Sequence, residues 1–447
     1  MTPFGRRLFL SALGAGVAAP VTTHAQRAAD PPNNPDVAII GAGVAGVTAA
    51  RALMATGKCV LVIEARDRIG GRTFTDPTTF GFAFDHGAQW IEAGKTNPAM
   101  AIVREAAAKA SLDRSEQAIF LAGKELSKED YARFEKIAQN ATRKIEEVLK
   151  KLPDFVVGKL LVPQDPLERL AYAMMGPLEQ GVENGELSAR DFTRQPEAEP
   201  QYSVAEGMGA MIARWGAKVP VKLGARVVRV DSTGTQVMVE TTAGQIRASA
   251  AIVTLPTGVL ATGKIGFSPQ LSAAKRDAIA QLPMASFNKV ALLFSRQVID
   301  APAGRNVTGL TRKDLAFDSI VRPANREAAL VFVGGALARA LEDEGGRAAV
   351  TFAVSALAEI YGNDLRGAVA KSHATQWGKD PYATGSWSVA RPGHADKRLV
   401  VAEPHHDRVF FAGEATDPVW ATRVGGAYAS GLRAAKEALA VPALQRR

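Results

Sequence analysis

Cysteine and histidine are scarce in this sequence. Its 447 residues include one cysteine, Cys59, and six histidines. A lone cysteine cannot close an intrachain disulfide, nor can it supply the paired cysteines of a usual zinc site. The histidines lack the spacing of metal ligands, so we predict no metal site. Beyond the first 25 residues, no apolar run approaches the length of a membrane-spanning helix, so we expect no stable membrane insertion.

The sequence also lacks a strong concentration of charge of one sign. Lysine and arginine together number 54, aspartate and glutamate 45, and the formal net charge is +9. The basic residues are scattered along the chain, so we predict no nucleic-acid binding. Hydrophobic residues make up 47% and charged residues 22%, which is typical of a chain that buries a sizeable core. At roughly 150 residues per domain, the length indicates two or three domains or one large interleaved fold.

Residues 1–25 have the pattern of an export signal. Arg6 and Arg7 precede an apolar run over residues 8–21, and residues 23–25 are typical of a cleavage site. The paired arginines indicate a bacterial twin-arginine signal, whose pathway exports folded proteins. A Sec signal or an uncleaved amino-terminal anchor are the alternatives. We therefore expect a periplasmic or secreted protein, with a linker at residues 26–35.

A dinucleotide-binding pattern follows the linker. A short apolar run, typical of a buried parallel strand, leads into Gly41-Ala-Gly-Val-Ala-Gly46, an alanine-rich helical stretch and a second apolar run. In this pattern Gly41 permits a tight turn, and Gly43 lets the backbone approach a pyrophosphate. Gly46 permits close packing of the helix on the sheet. The helix amino-terminus then offers free N–H groups to the phosphates.

The residues after the second strand indicate a longer dinucleotide. Glu64 ends that strand, where a carboxylate can accept both ribose hydroxyls. Gly70, Gly71 and Arg72 follow closely, and their N–H groups and the guanidinium can neutralise a pyrophosphate. This stretch resembles the flavin-dependent amine oxidase family, which includes monoamine and polyamine oxidases.

The resemblance extends over nearly the whole chain beyond the linker. Residues 84–91 resemble the family's next flavin-contacting segment, and residues 226–230 resemble the strand whose backbone holds the adenine. Residues 409–416 and 425–431 resemble the last segment, whose helix runs to about Leu439 and directs its amino-terminus at the flavin ring. The resemblance implies FAD bound through Gly41, Gly43, Ala45, Gly46, Glu64, Ala65, Arg66, Gly71, Arg72, Ala88, Gln89, Trp90, Val228, Gly413, Glu414, Gly426 and Ala427.

The fold class implied by the resemblance is α/β, with a Rossmann-like FAD-binding domain interleaved with an α+β substrate domain. The FAD-binding domain is expected to comprise residues 36–95, 202–268 and 376–441, and the substrate domain residues 96–201 and 269–375. Within the substrate domain, apolar residues recur at helical spacing between Tyr131 and Leu152 and predict an amphipathic helix.

Lys289 and Trp387 are the first candidates for chemistry. Lys289 lies in a strand pattern on a face that is otherwise apolar, where an ammonium needs a partner or water. It matches the family's lysine that holds a water against the reactive flavin nitrogen, which implies a role in flavin reoxidation and a lowered pKa. Trp387 matches the first of two aromatic residues that flank the substrate. Ser386 stands where some relatives tether the flavin through cysteine, so we expect noncovalent FAD.

The second aromatic position departs from the family pattern. It holds Arg423, with Trp420 three residues earlier. An arginine that faces the pocket would repel a second cationic group and could bind a carboxylate. Alternatively, Arg423 turns outward and Trp420 lines the pocket. Glu92 matches a carboxylate of polyamine oxidases and would favour cationic substrates.

The resemblance implies an FAD-dependent amine oxidase. A neutral amine would give hydride to the flavin, the imine would hydrolyse, and oxygen would accept the electrons and yield hydrogen peroxide. The expected substrate is a small amine or an amino acid, and the electron acceptor is oxygen or a periplasmic carrier. The closest alternative is an L-amino-acid oxidase with Arg423 on the carboxylate. The others are a desaturase or protoporphyrinogen-oxidase type of enzyme and a noncatalytic flavin-binding protein.

Overall fold

The computed structural model describes residues 34–113 and 115–445. The export signal predicted at residues 1–25 and most of the predicted linker lie outside these residues. Within the described part of the chain, no helix is long and apolar enough to cross a membrane.

The secondary structure alternates between strands and helices along the chain. The strands are β1 (Val37–Ile40), β2 (Val60–Ile63), β3 (Thr75–Asp76), β4 (Phe84–Asp85), β5 (Trp90–Ile91), β6 (Ala110–Leu112), β7 (Gln117–Leu121), β8 (Lys124–Glu125), β9 (Tyr202–Val204), β10 (Val221–Lys222), β11 (Val227–Asp231), β12 (Val237–Thr241), β13 (Gly244–Ala248), β14 (Ala250–Val253), β15 (Gly266–Ser268), β16 (Phe287–Phe294), β17 (Arg305–Leu310), β18 (Ala316–Val321), β19 (Ala328–Gly334), β20 (Val369–Ala374) and β21 (Val409–Phe411). The α-helices are α1 (Val44–Met54), α2 (Met100–Glu105), α3 (Lys128–Leu149), α4 (Val157–Leu160), α5 (Pro166–Met175), α6 (Ala189–Arg194), α7 (Met208–Trp215), α8 (Thr257–Ala261), α9 (Ala273–Ala280), α10 (Gly335–Glu344), α11 (Gly346–Tyr361), α12 (Lys397–Ala402), α13 (Val424–Leu439) and α14 (Pro442–Gln445). Short 3₁₀ helices cover Pro323–Asn325, Asn363–Gly367 and Glu414–Thr416.

A five-stranded parallel sheet with the order β10-β2-β1-β14-β21 forms the nucleotide-binding part of the fold. Its strands β1, β2 and β14 are buried at every residue, as expected for continuous apolar runs covered on both faces. Val37 and Ile39 pack on one face with α1, α7 and α13. Ala38 and Ile40 pack on the opposite face with the sheet β13-β12-β11-β15 and with α9 and α12.

The carboxyl ends of these parallel strands bring distant segments to one edge of the sheet. β1 ends before Gly41, β2 before Glu64, β14 before Thr254, and β21 leads to Gly413. Ligands of open α/β sheets bind outside this edge. The fold therefore assembles one site from the beginning, middle and end of the described chain.

A seven-stranded sheet with the order β20-β16-β19-β18-β17-β7-β8 forms the opposite side of that site. Val290 and Leu292 of β16 pack on the face covered by α10 and α11. Lys289 and Ala291 lie on the other face, together with Phe332 of β19. This alternation was predicted from the strand pattern, and it turns the second face towards the parallel sheet.

The predicted amphipathic helix corresponds to α3, which begins three residues before Tyr131. Ser127 caps it, because its side chain accepts a hydrogen bond from the backbone N–H of Asp130. Phe134, Ala141 and Ile145 form its buried stripe.

Candidate active site

A cavity of about 1160 Å³ extends from the carboxyl edge of the parallel sheet to the seven-stranded sheet. Sites for drug-sized ligands usually occupy about 300–1,000 Å³. The volume therefore leaves room for a dinucleotide and a substrate together. Its wall includes Gly41 and Glu64 at one end, and Lys289, Asp318 and Arg423 at the other.

The glycine turn leaves an open space where a pyrophosphate would lie. Gly41 has a φ of +103°, and a Cβ on Gly46 would come within 1.9 Å of the Gly41 carbonyl oxygen. A Cβ on Gly43 would instead meet no atom within 4 Å, and Gly43 lies on the cavity wall. Helix α1 then begins at Val44 with no side-chain cap, so its first N–H groups are free for an anion. This geometry fits the predicted dinucleotide.

Glu64 is held in place by the backbone around it. Its Oε2 accepts a hydrogen bond of 2.7 Å from Ala42 N–H, and its Oε1 accepts one of 2.9 Å from Arg66 N–H. Each carboxylate oxygen has a second lone pair, and the side chain lines the cavity, so the predicted ribose contact fits. The guanidinium of Arg66 donates to both carboxylate oxygens of Asp380, at 2.7 and 2.8 Å, and is neutralised there.

Arg72 connects the nucleotide end of the cavity to the substrate end. Its Nη1 donates to the Ser386 carbonyl oxygen at 2.9 Å and to Glu414 Oε1 at 3.0 Å. Glu414 Oε2 in turn accepts from Ser388 Oγ at 2.7 Å and from Thr422 N–H at 3.0 Å. The segments that carry Trp387 and Arg423 are therefore tied to one buried carboxylate.

A second buried carboxylate anchors the same segment. Arg398 is fully buried, and its Nε and Nη2 each lie 2.7 Å from an oxygen of Asp191. Nη1 of Arg398 donates to Ser388 Oγ at 2.7 Å, and Asp191 also accepts from Ala390 N–H. Bidentate pairing of this kind fixes both position and orientation. We call Asp191, Arg398, Ser388, Glu414 and Arg72 the buried polar network.

Lys289 lies beneath the substrate end of the cavity and has polar partners. Its Nζ donates to the Asp85 carbonyl oxygen at 2.9 Å and to Gln89 Oε1 at 2.8 Å. Burial lowers the pKa of Lys289 to about 8, although the Asp85 carboxylate opposes the shift. A charged ammonium has three N–H groups, so one remains for a further partner.

Arg423 faces the cavity, and its guanidinium already contacts two oxygens of the protein. Its Nε lies 2.5 Å from Glu92 Oε2, and its Nη1 donates to the Pro196 carbonyl oxygen at 2.7 Å. Burial raises the pKa of Glu92, while Arg423 lowers it. Burial also raises the pKa of Glu179, to about 7, with Glu92 adding to the shift and Arg423 opposing it.

Aromatic rings line the substrate end of the cavity. Trp387 donates its Nε1–H to the Gln180 carbonyl oxygen at 2.9 Å, and its ring centroid lies 5.1 Å from that of Phe287. The ring centroid of Phe332 lies 6.2 Å from that of Phe287 and 5.6 Å from that of Trp90. We call Trp90, Phe332, Phe287 and Trp387 the aromatic wall.

Most of the predicted site residues lie on the cavity wall, and four do not. Gly46 and Gly426 allow close packing of the backbone. A Cβ on Gly46 would collide with the carbonyl oxygen of Gly41, and a Cβ on Gly426 with that of Trp420. Val227 lines the cavity in place of Val228, next to a register shift between β11 and β12. Trp420 lies outside the wall, so the alternative in which it lines the pocket and Arg423 turns outward is not the arrangement observed. The remaining predicted residues on the wall are Gly41, Gly43, Ala45, Glu64, Ala65, Arg66, Gly71, Arg72, Ala88, Gln89, Trp90, Glu92, Lys289, Trp387, Gly413, Glu414, Arg423 and Ala427.

The wall residues that sequence reasoning missed include two acids, Glu179 and Asp318, and two aromatic residues, Phe287 and Phe332. Phe287 and Asp318 had a signal in the sequence. Phe287 precedes Lys289 by two residues, so a strand puts both on one face. Asp318 is a charged residue between the apolar residues of β18. No group of side chains suited to a metal ion occurs among the described residues.

A family model described as flavin containing amine oxidoreductase matches residues 186–439, more than half of the chain. The chain belongs to this family. A second model, for an NAD(P)-binding Rossmann-like domain, matches residues 39–106. The protein is a flavin-dependent oxidoreductase that acts on amines, and its two-domain α/β flavoprotein fold with a Rossmann-like domain confirms the predicted fold class.

Similar proteins include plant polyamine oxidases and an animal histone demethylase. Polyamine oxidase 2 of Arabidopsis thaliana is 29% identical over 440 residues, which cover 90% of this chain and 88% of the relative. Lysine-specific histone demethylase 2 of Homo sapiens is 28% identical over a region that covers 91% of this chain and 53% of the demethylase. Among solved structures, putrescine oxidase bound to putrescine has a TM-score of 0.78 at 18% identity, covering 91% of this chain and 99% of the other. Cyclohexylamine oxidase from Brevibacterium oxydans has a TM-score of 0.77 at 20% identity, and the match covers 92% of this chain and 100% of the oxidase chain.

Proposed function

We propose that this enzyme oxidises amines that carry a second positive charge, and that Arg423 does not bind a substrate carboxylate. The observation that carries the proposal is the ion pair between Arg423 and Glu92, in which the charge of the guanidinium is neutralised. The guanidinium also donates to the Pro196 carbonyl oxygen. Glu179 and Asp318 face the same cavity and have no ion-pair partner among the described residues. A chamber with uncompensated acids attracts cations and disfavours carboxylates.

An L-amino-acid oxidase is the second candidate, because Arg423 does line the cavity. A substrate carboxylate would share there a guanidinium whose charge Glu92 already neutralises, and it would be repelled by Glu92 and by the neighbouring Glu179. If it displaced Glu92, that partly buried carboxylate would lose its cation close to Glu179, which is unfavourable. The similar proteins named polyamine oxidase and putrescine oxidase also support an amine without a carboxylate.

Bound flavin would accept hydride, and with it two electrons, from the carbon next to the amine nitrogen. The residues around it would orient and deprotonate the amine. Trp387, fixed by its hydrogen bond to Gln180, would confine the reacting amine, and the aromatic wall would favour the neutral form that can lose hydride. The remaining N–H of Lys289 would hold a water at the substrate end, with Asp85 and Gln89 fixing the direction of the side chain.

The remaining assignments belong to the same proposal. The flavin would be held without a covalent bond through cysteine, because Cys59 is exposed and is not one of the described residues on the cavity wall. Oxygen would be the electron acceptor and hydrogen peroxide the product. Residues 1–25 would direct export to the periplasm or beyond, and detection of a mature amino-terminus near Gln26 in the exported protein would test this.

Anaerobic bleaching of the flavin absorbance tests the substrate class. Putrescine and ornithine form a matched pair, because ornithine is putrescine with an added carboxylate. We expect putrescine to bleach the holoenzyme faster than ornithine or leucine, and readmitted oxygen to restore the absorbance with formation of hydrogen peroxide. Bleaching by ornithine or leucine alone, abolished in Arg423→Ala, would instead establish the amino-acid oxidase.

A further inference from the structure

Lys289 and Asp318 lie in one row across the seven-stranded sheet. Lys289 is paired with Phe332 across β16 and β19, and Phe332 is paired with Asp318 across β19 and β18. Both pairs are antiparallel, so the three side chains project from the same face. Neighbouring strands lie about 4.8 Å apart, which separates the Lys289 and Asp318 backbones by roughly 10 Å. The cavity covers this face, and all three residues line it.

Only one of the two carboxylate oxygens of Asp318 accepts hydrogen bonds from the described residues. Its Oδ1 accepts hydrogen bonds from Thr308 Oγ1 at 3.0 Å and from Ser319 N–H at 2.9 Å. Within the described chain, no group donates to Oδ2 and no cation lies within ion-pair distance. Burial raises the pKa of Asp318 to about 6, with these two hydrogen bonds opposing the shift. An enclosed carboxylate with a free oxygen is stabilised by a cation from outside the protein.

The space between Lys289 and Asp318 is suited to a methylene chain. The central residue of the row is Phe332, whose ring packs against Trp90 and Phe287 of the aromatic wall. Apolar and aromatic surface favours an alkyl chain and gives no partner to a charge along the way. A ligand that lies on this surface meets Trp387 and Lys289 at one end and the free oxygen of Asp318 at the other.

We propose that Asp318 is a specificity-determining residue that binds the second ammonium group of a diamine or polyamine. The register of β16, β19 and β18 then sets the distance between that ammonium and the oxidised carbon. The inference rests on the proposed function and deepens it: substrates would be selected by the separation of their amino groups. A monoamine of the same chain length would bind the aromatic wall without the anchor.

The test compares diamines with monoamines of equal carbon number in the holoenzyme. We expect Asp318→Asn to lower kcat/KM for 1,4-diaminobutane by about 10- to 100-fold, the range for a hydrogen bond to a charged group. Turnover of butylamine should be unchanged or improved, which also shows that the variant is folded. Asp314→Asn, an exposed acid in the turn before β18, is the control and should change neither substrate.

Asp318→Glu provides a second, independent readout. Its carboxylate reaches about one methylene further, so the diamine with the highest kcat/KM should become shorter. Equal losses for diamine and monoamine in Asp318→Asn, or an unchanged length preference in Asp318→Glu, would overturn the inference while leaving amine oxidation intact. Failure of every amine to bleach the wild-type flavin would instead overturn the proposed function.

Discussion

Replacing Asp191 by asparagine should leave a buried guanidinium without its counter-charge. Arg398 is 0% exposed and Asp191 is 1% exposed, and two contacts of 2.7 Å join them. Asparagine keeps the size of the side chain but loses the charge and one of the two matching acceptors. Because breaking one partner of a buried pair costs about 3–5 kcal/mol, we expect the free energy of unfolding to fall by about that amount.

A matched surface pair provides the control for this prediction. Asp314 lies 3.2 Å from Arg169, and their side chains are 49% and 48% exposed. Exposed ion pairs contribute about 0–1 kcal/mol, so Asp314→Asn should have little effect. Both variants should be unfolded in urea as holoenzymes at one FAD concentration, because bound cofactor adds to the stability of the native state. Tryptophan and flavin fluorescence would follow the transition.

The double variant Asp191→Asn with Arg398→Met separates charge from packing. Removing the uncompensated guanidinium should recover part of the lost stability, since an apolar replacement of a buried pair is often nearly neutral. Equal losses in Asp191→Asn and Asp314→Asn would refute the stabilising role of the buried polar network. No recovery in the double variant would refute its electrostatic explanation.

Three further predictions concern the cavity. Gly43→Ala should leave the thermal midpoint of the apoprotein unchanged, because a Cβ meets no atom within 4 Å, and should weaken FAD binding by about tenfold or more in a titration. The pKa of Lys289 is lowered to about 8 from its ordinary value of 10.5. Between about pH 8 and 10.5 the unfolded chain therefore binds more protons than the folded protein, and the stability of the fold rises with pH. Between about pH 7 and 9.5, the free energy of unfolding should therefore increase by about 2 kcal/mol less in Lys289→Met than in the wild type, as measured by urea unfolding. Arg423 lowers the pKa of Glu92 and Glu179, so Arg423→Ala should move the acid limb of the kcat/KM profile upward by about one pH unit or more.

The nucleotide end of the site could be predicted from sequence because its determinants are contiguous. A strand, a glycine turn, a helix and a second strand follow one another from Val37 to Glu64, and each step has a local signature. Lys289 could also be predicted as a site residue from the sequence, since a single charge on an apolar strand face indicates a buried partner or water. The roles assigned to these residues stay predictions.

The charge balance of the substrate end depends on tertiary structure. Arg423 suggested a carboxylate site, and only the fold places Glu92 beside it. Glu179 follows a helix end with no motif around it, and Asp318 becomes notable only when strand register sets it opposite Phe332 and Lys289. Similarly, nothing local to Asp191 or Arg398 predicts their pairing, because long-range contacts select the partner.

The parallel sheet has a consequence for biosynthesis. Its edge strand, β21, and the turn at Gly413 are translated long after Gly41 and Glu64, yet they border the same cavity. A nascent chain still lacking residues 409–427 has an incomplete cavity wall, so the site is complete only after this segment has been made. A cofactor bound there would contact early and late segments together, so its binding would stabilise their association in the native state.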